Sequence, residues 1–174
     1  WIQLGKDIDG ESADDYSGIV SLSSDGSIIA IGAHGNDGNG SNSGHVRIYQ
    51  FLSGSWTQLG KDIDGEAGDD YSGGSISLSS DGSIVAIGAS GNDGNGSNSG
   101  HVRIYQFLSD SWRQLGKDID GEAVDDYSGS SVSLSSDGGV VAIGAFGNDD
   151  NGRNSGHVRI YQFLSDSWTQ LGKD

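Results

Sequence analysis

An all-β array of small antiparallel sheets is what this sequence predicts, and three observations predict it. A phrase of about 56 residues recurs end to end along the 174-residue chain. Within it, apolar residues either alternate with polar ones or run in short blocks, with no convincing helical period. Gly, Asn, Asp and Ser gather between those blocks at fixed offsets, which is where turn residues belong.

The repeat comes first because it decides the architecture. Trp1, Trp56, Trp112 and Trp168 each open the phrase Trp-x-Gln-Leu-Gly-Lys-Asp. Residues 56–111 and 112–167 differ at only nine positions, among them Gly74/Ser130, Ser90/Phe146, Gly94/Asp150 and Ser97/Arg153. The first copy is one residue shorter, around Gly18 and Ile19. The chain reads as a single array, 1–174, with copies at 1–55, 56–111 and 112–167 and the start of a further copy at 168–174.

Each copy predicts four strands, taken here from the second. Residues 56–63 form the first. Residues 74–79, Gly-Ser-Ile-Ser-Leu-Ser, alternate as a half-buried strand does. Asp81-Gly82 predicts a tight hairpin turn, since both residues tolerate positive φ. Residues 83–89, Ser-Ile-Val-Ala-Ile-Gly-Ala, are nearly all apolar and predict a strand covered on both faces. A polar loop over 91–100 leads to the last strand, 101–108. Four antiparallel strands in this length make a propeller blade. One such sheet alone cannot cover both its faces, whereas neighbours in an array can. Closed propellers carry about four to eight blades. Three copies and a spare Trp phrase therefore predict part of a larger ring, an open array, or association with other chains head to tail.

Composition narrows the partners. The chain has no Cys, so it holds no disulfide and no thiolate metal site. It has no Met, and no leader sequence opens it, which suggests a processed chain or a window of a longer one. No apolar run is long enough to span a bilayer as a helix. A net charge of −16 repels phosphate backbones and anionic membranes, so neither nucleic acid nor membrane insertion is expected.

The order of short motifs resembles a known family. Gly73, then Ser77-Leu-Ser-Ser-Asp-Gly82, then Val85-Ala-Ile-Gly-Ala89, then Gly100-His-Val-Arg-Ile-Tyr105, then Trp112, is similar to the FG-GAP repeat, the blade of integrin-α-type propellers. The resemblance covers the whole chain. It implies a propeller blade, an extracellular or cell-surface location, and adhesion or ligand binding. The family's Phe-Gly is Tyr71-Ser72-Gly73 here. Its calcium loop is reduced to Ser79-Ser80-Asp81-Gly82, and one carboxylate cannot supply the six to eight oxygens that calcium takes. The family's calcium ligands therefore have no counterpart.

The sequence offers another place for calcium. Asp62, Asp64, Glu66 and Asp70 stand at positions 1-3-5-9, as do Asp7, Asp9, Glu11 and Asp15, and Asp118, Asp120, Glu122 and Asp126. Alternate oxygens from one loop can converge on that ion. The competing reading is an acidic connection whose carboxylates fix backbone turns. Asn39 and Asn95 open Asn-Gly-Ser and are candidate glycosylation sites. His34, Ser90 and Phe146 occupy one variable position after the apolar strand and mark a candidate ligand-facing loop. His45, His101 and His157 read as structural, and the recurrent Arg/Tyr pairs (Arg47/Tyr49, Arg103/Tyr105, Arg159/Tyr161) as packing between strands or blades.

No nucleophile stands beside a base, and near-identical copies repeat one environment, whereas acid–base catalysis needs unlike environments. The expectation is a non-catalytic extracellular binding or adhesion module with a protein or glycan ligand. The alternative is a structural subunit of a surface filament, its copies joined head to tail through terminal strands.

Overall fold

The computed structural model describes residues 1–173 and contains no helix among them. Three antiparallel sheets follow one another along the chain. The first holds β1 (Ile19–Leu22), β2 (Ile28–Ala33), β3 (His45–Leu52), β4 (Ser55–Gln58) and the short β5 (Ile63–Asp64). The second repeats this with β6 (Ser75–Leu78), β7 (Ile84–Ala89), β8 (His101–Leu108), β9 (Ser111–Gln114) and β10 (Ile119–Asp120). The third holds β11 (Ser128–Leu134), β12 (Val140–Ala145), β13 (His157–Leu164) and β14 (Ser167–Gln170).

The sheets pack face to face as propeller-like blades. Their inner strands β1, β6 and β11 lie side by side, and the Trp strands form the outer edges. The cores sit in the seams. Between blades one and two, Ala30, Val46 and Ile48 meet Leu78, Val85 and Ile87. Between blades two and three, Ala86, Val102 and Ile104 meet Val141, Ile143 and Tyr161. All six residues of β7 are buried, as an apolar block covered on both faces requires.

Three details differ from the sequence reading. The Trp strand closes the preceding sheet instead of opening the next, because Phe107 pairs with Trp112 across the β8–β9 hairpin. Sequence copies and sheets are thus offset by one strand. The predicted strand 56–63 is also interrupted. β4 pairs with the end of β3 and β5 with its start, leaving 59–62 between them. The matching phrase at 1–8 is not a strand, since no third strand of a preceding sheet lies beside it to pair with.

The turn at Ser79–Ser83 is wider than a two-residue hairpin. Only Gly82 takes positive φ, at +73°. Asp81 instead accepts bonds from Ser79 Oγ at 2.7 Å and from the Ser83 amide at 2.9 Å. These turns also tie the blades together near the inner strands. The Ser24 amide donates to the Ser80 carbonyl at 2.8 Å, and the Ser80 amide to the Ser136 carbonyl at 2.9 Å.

Candidate functional site

The residues that repeat with chemistry lie where the connecting segment crosses a face of each blade, toward the outer edge. In β8, His101, Arg103 and Tyr105 alternate with Val102 and Ile104, so they share one face of the strand. Val102 and Ile104 face blade three. The other face meets the connector that leaves blade one. Arg103 donates to the Asp64 carbonyl at 2.7 Å, pairs with Glu66 Oε1 at 3.4 Å, and lies 5.6 Å from the ring centre of Tyr105. Glu66 Oε2 lies 3.9 Å from His101 Nδ1. The His101 side chain is 2 % exposed, and its Nε2 has no hydrogen-bond partner. Burial, helped by the charge of Arg103, holds its pKa below the ordinary value, which favours the neutral ring. His45, Arg47 and Glu11 repeat the arrangement, as do His157, Arg159 and Glu122.

The acidic 1-3-5-9 sets do not gather on themselves. Asp70 is buried and accepts from the Glu66 and Ala67 amides at 3.2 and 3.0 Å, and from Asn92 Nδ2 at 3.3 Å. Asp15 and Asp126 do the same toward Ser12 and Asn36, and toward Ala123 and Asn148. Asp9, Asp64 and Asp120 contribute their backbone carbonyls to arginine. Asp7, Asp62 and Asp118 accept from Gln3, Gln58 and Gln114. Groups able to hold a metal ion do form, two of them across copies and the third within copy three. Glu11 comes together with His45 and Asp62, Glu66 with His101 and Asp118, and Glu122 with His157 and Asp150. Sequence spacing alone could not show this, because Asp62 and Glu66 of one set go to different groups, as do Asp118 and Glu122 of another.

The family's calcium loop is also replaced structurally. Hydrogen bonds from the Ser27 amide and the Ser23 and Ser27 hydroxyls lower Asp25 from 3.8 to about 2. Asp81 is lowered by its Ser83 amide first, and Asp137 by Ser135 Oγ first. The lone carboxylate is spent on its own turn and does not fit a calcium site. Folded pKa values below the unfolded one mean that this stabilisation is full above pH 3.8 and is lost as pH falls toward about 2. Acid titration followed by circular dichroism is expected to show a shallower loss over that window for the triple variant Asp25→Asn, Asp81→Asn, Asp137→Asn than for the parent chain.

The remaining candidates have definite places. Asn39 Nδ2 donates to the Gly65 and Glu66 carbonyls at 2.9 and 3.0 Å, and Asn95 Nδ2 to Gly121 and Glu122 at 2.8 and 3.1 Å. These amides tie a loop to the connector. A sugar on that nitrogen would displace at least one of the two bonds. His34 stacks on Tyr16 at 5.5 Å, and Phe146 on Tyr127 at 4.9 Å. Ser90 holds the same position without an aromatic ring.

Missed in the sequence are three equivalent outer clefts. One is lined by Lys61, Asp62, Ile63, Asp64, Tyr105 and Trp112 and encloses about 390 Å³. Its equivalents carry Lys6, Tyr49 and Trp56, and Lys117, Tyr161 and Trp168. The signal that could have found them is the Gly-Lys-Asp-Ile-Asp phrase recurring one strand away from Tyr. Trp112 is fixed there by Nε1 donating to the Leu59 carbonyl at 2.8 Å and by Phe107 at 5.1 Å.

Among solved structures, the chain is similar to Kuenenia stuttgartiensis hydrazine synthase, at 12 % identity with a TM-score of 0.56, over 98 % of this chain and 38 % of that one. It is also similar to a Bacteroides fragilis protein provisionally described as a 6-phosphogluconolactonase, at 12 % identity with a TM-score of 0.59, over 91 % of this chain and 38 % of that one. This chain thus spans under two-fifths of either chain, and at such identity the likeness concerns the fold alone. No curated protein matches it in sequence. The FG-GAP repeat matches residues 56–105 and 118–161. Those stretches make up more than half of the chain, and with the blades described above they place it in the FG-GAP repeat family.

Proposed function

We propose that the chain is a non-catalytic extracellular binding module that presents the same cleft to its ligand once on each blade. The observation that carries this is the threefold recurrence of a Lys, Asp, Tyr and Trp cleft. A fixed aromatic wall beside carboxylates and an ammonium group suits a polar ligand with apolar faces, such as a glycan, or a protein surface. Repetition favours partners that themselves repeat, because linked weak sites gain avidity. Family membership supports the surface location, and the acidic surface is compatible with it. Calcium has no part in this reading, since the 1-3-5-9 carboxylates do not gather and Asp70 commits Oδ2 to the Glu66 and Ala67 amides.

The test is binding to arrayed glycans and extracellular-matrix proteins, with the variant Lys6→Ala, Lys61→Ala, Lys117→Ala as control. The expected result is selective binding by the parent chain, reduced at least tenfold in the variant at an unchanged melting temperature. Absence of binding to either array, or equal binding by the variant, overturns the reading.

A second reading, self-association head to tail, is favoured by the exposure of the two outer blade faces. Val158 and Ile160 are 66 % and 42 % exposed, whereas their equivalents Val102 and Ile104 are fully buried. Val20 and Leu22 are 58 % and 55 % exposed, whereas Leu78, the equivalent of Leu22, is 7 %. The seams show what fits each face, namely the opposite face of another blade of the same sequence. Under this reading, blade one of a second copy seats on blade three. Light scattering over a concentration series is expected to show growing species, and Ile160→Asp to abolish them. A concentration-independent monomer rules it out.

A further inference from the structure

We propose that the chain binds a divalent transition-metal ion of the zinc class, held by Glu66, His101 and Asp118 in the seam between blades one and two, and again by Glu11, His45 and Asp62 where the N-terminal segment crosses the other face of blade one. In each set, one donor atom from each residue lies within 4.8 Å of the other two. The donors come from three stretches of chain that only folding brings together. Glu66 stands in the connector leaving blade one, His101 opens β8, and Asp118 precedes β10 on the outer edge of blade two.

Neither nitrogen of the histidine has a hydrogen bond, and Nδ1 is the one that faces the acids. A nitrogen buried in protein normally finds a hydrogen bond, and one without a partner calls for an explanation. His101 Nε2 and His45 Nε2 are both buried without one. Nδ1 of each ring has only its glutamate, at 3.9 Å, beyond hydrogen-bonding distance. Two buried imidazoles at equivalent places share this deficit, so it belongs to the repeat and not to one local accident.

The chemistry of the set selects the ion. An imidazole nitrogen with two carboxylates suits zinc and its neighbours, while calcium takes oxygens. Bonds of about 2.0–2.2 Å require the donors to draw in to about 3.3 Å from one another. Glu66 and Asp118 can supply that movement, because Glu66 is an exposed side chain and Asp118 is only partly covered. Arg103 does not block the site. It holds Oε1 of Glu66 at 3.4 Å while Oε2 faces the imidazole, so it orients the ligand as outer-shell partners of metal sites do. With three protein donors, the remaining position is open to water. In the third copy, Glu122 and His157 gather with Asp150, where the other copies have glycine, so that donor set is not the same.

The test is calorimetric titration of the metal-free chain with zinc at neutral pH, with calcium as comparison. The expected result is saturable zinc binding of at least two equivalents, a rise in melting temperature, and no matching response to calcium. The double variant His45→Gln, His101→Gln is expected to lose two equivalents. Should that variant fail to fold, Asp62→Asn, Asp118→Asn alters only the outer ligands and is expected to lose the same two. No saturable zinc binding, binding equal to that of calcium, or full stoichiometry in a folded variant overturns the proposal. The probe is the metal alone, so its outcome is separate from that of the cleft ligand.

Discussion

Gly88→Ala is expected to lower stability by about 3 kcal/mol, while the same change at the equivalent Gly144 lowers it by less than about 1 kcal/mol. A Cβ on Gly88 would lie 2.0 Å from the Gly129 carbonyl oxygen, on the inner strand of the next blade. That oxygen is backbone and already accepts Ser75 Oγ at 2.6 Å, so it cannot turn aside. The blades would have to separate, opening the seam whose core includes Val102 and Ile104. At Gly144 the obstacle within 3 Å is Ser131 Oγ, the end of a side chain that can rotate. Urea denaturation of both variants reads the difference. Equal costs would show that close approach of the inner strands does not hold the blades together.

Ile104→Ala is expected to cost about 3–4 kcal/mol, and Ile160→Ala under about 1 kcal/mol, although both isoleucines occupy one position of the repeat. Ile104 is fully buried between blades two and three, so truncation removes transfer energy and leaves a cavity. Ile160 is 42 % exposed on the open face of blade three, where water fills the space. Thermal melts at low protein concentration make the comparison. If copies stack head to tail, the cost at Ile160 grows with concentration, because binding to the folded state adds to stability by mass action.

These paired substitutions show where sequence reading reaches and where it stops. The apolar block 83–89 announced a strand covered on both faces, and β7 is buried at every residue. The Trp phrase announced a strand as well, but not the sheet to which it belongs. Pairing of Trp112 with Phe107 is set by the short Ser109-Asp110 turn, whose contribution is visible only once β8 is in place. Asp70 followed its local chemistry, and its turn bonds lie within four residues. Glu66 and Asp118 did not, because they are 52 residues apart and meet only across folded blades. Local spacing reports on local bonds. The seams are made by residues one whole copy apart, and there the identity of the copies conceals which copy meets which.

The offset between copy and sheet also has a mechanical side. The connector 65–74 runs from the outer edge of one blade to the inner strand of the next, so the covalent chain crosses each seam once. Tension along the chain must peel a Trp strand from its sheet before it reaches the inner strand beyond. Each blade then yields as its own step, releasing about 56 residues, or roughly 190 Å of extended backbone. A stretched array lengthens in instalments, and each blade that yields takes with it the seam and the cleft it shares with its neighbour.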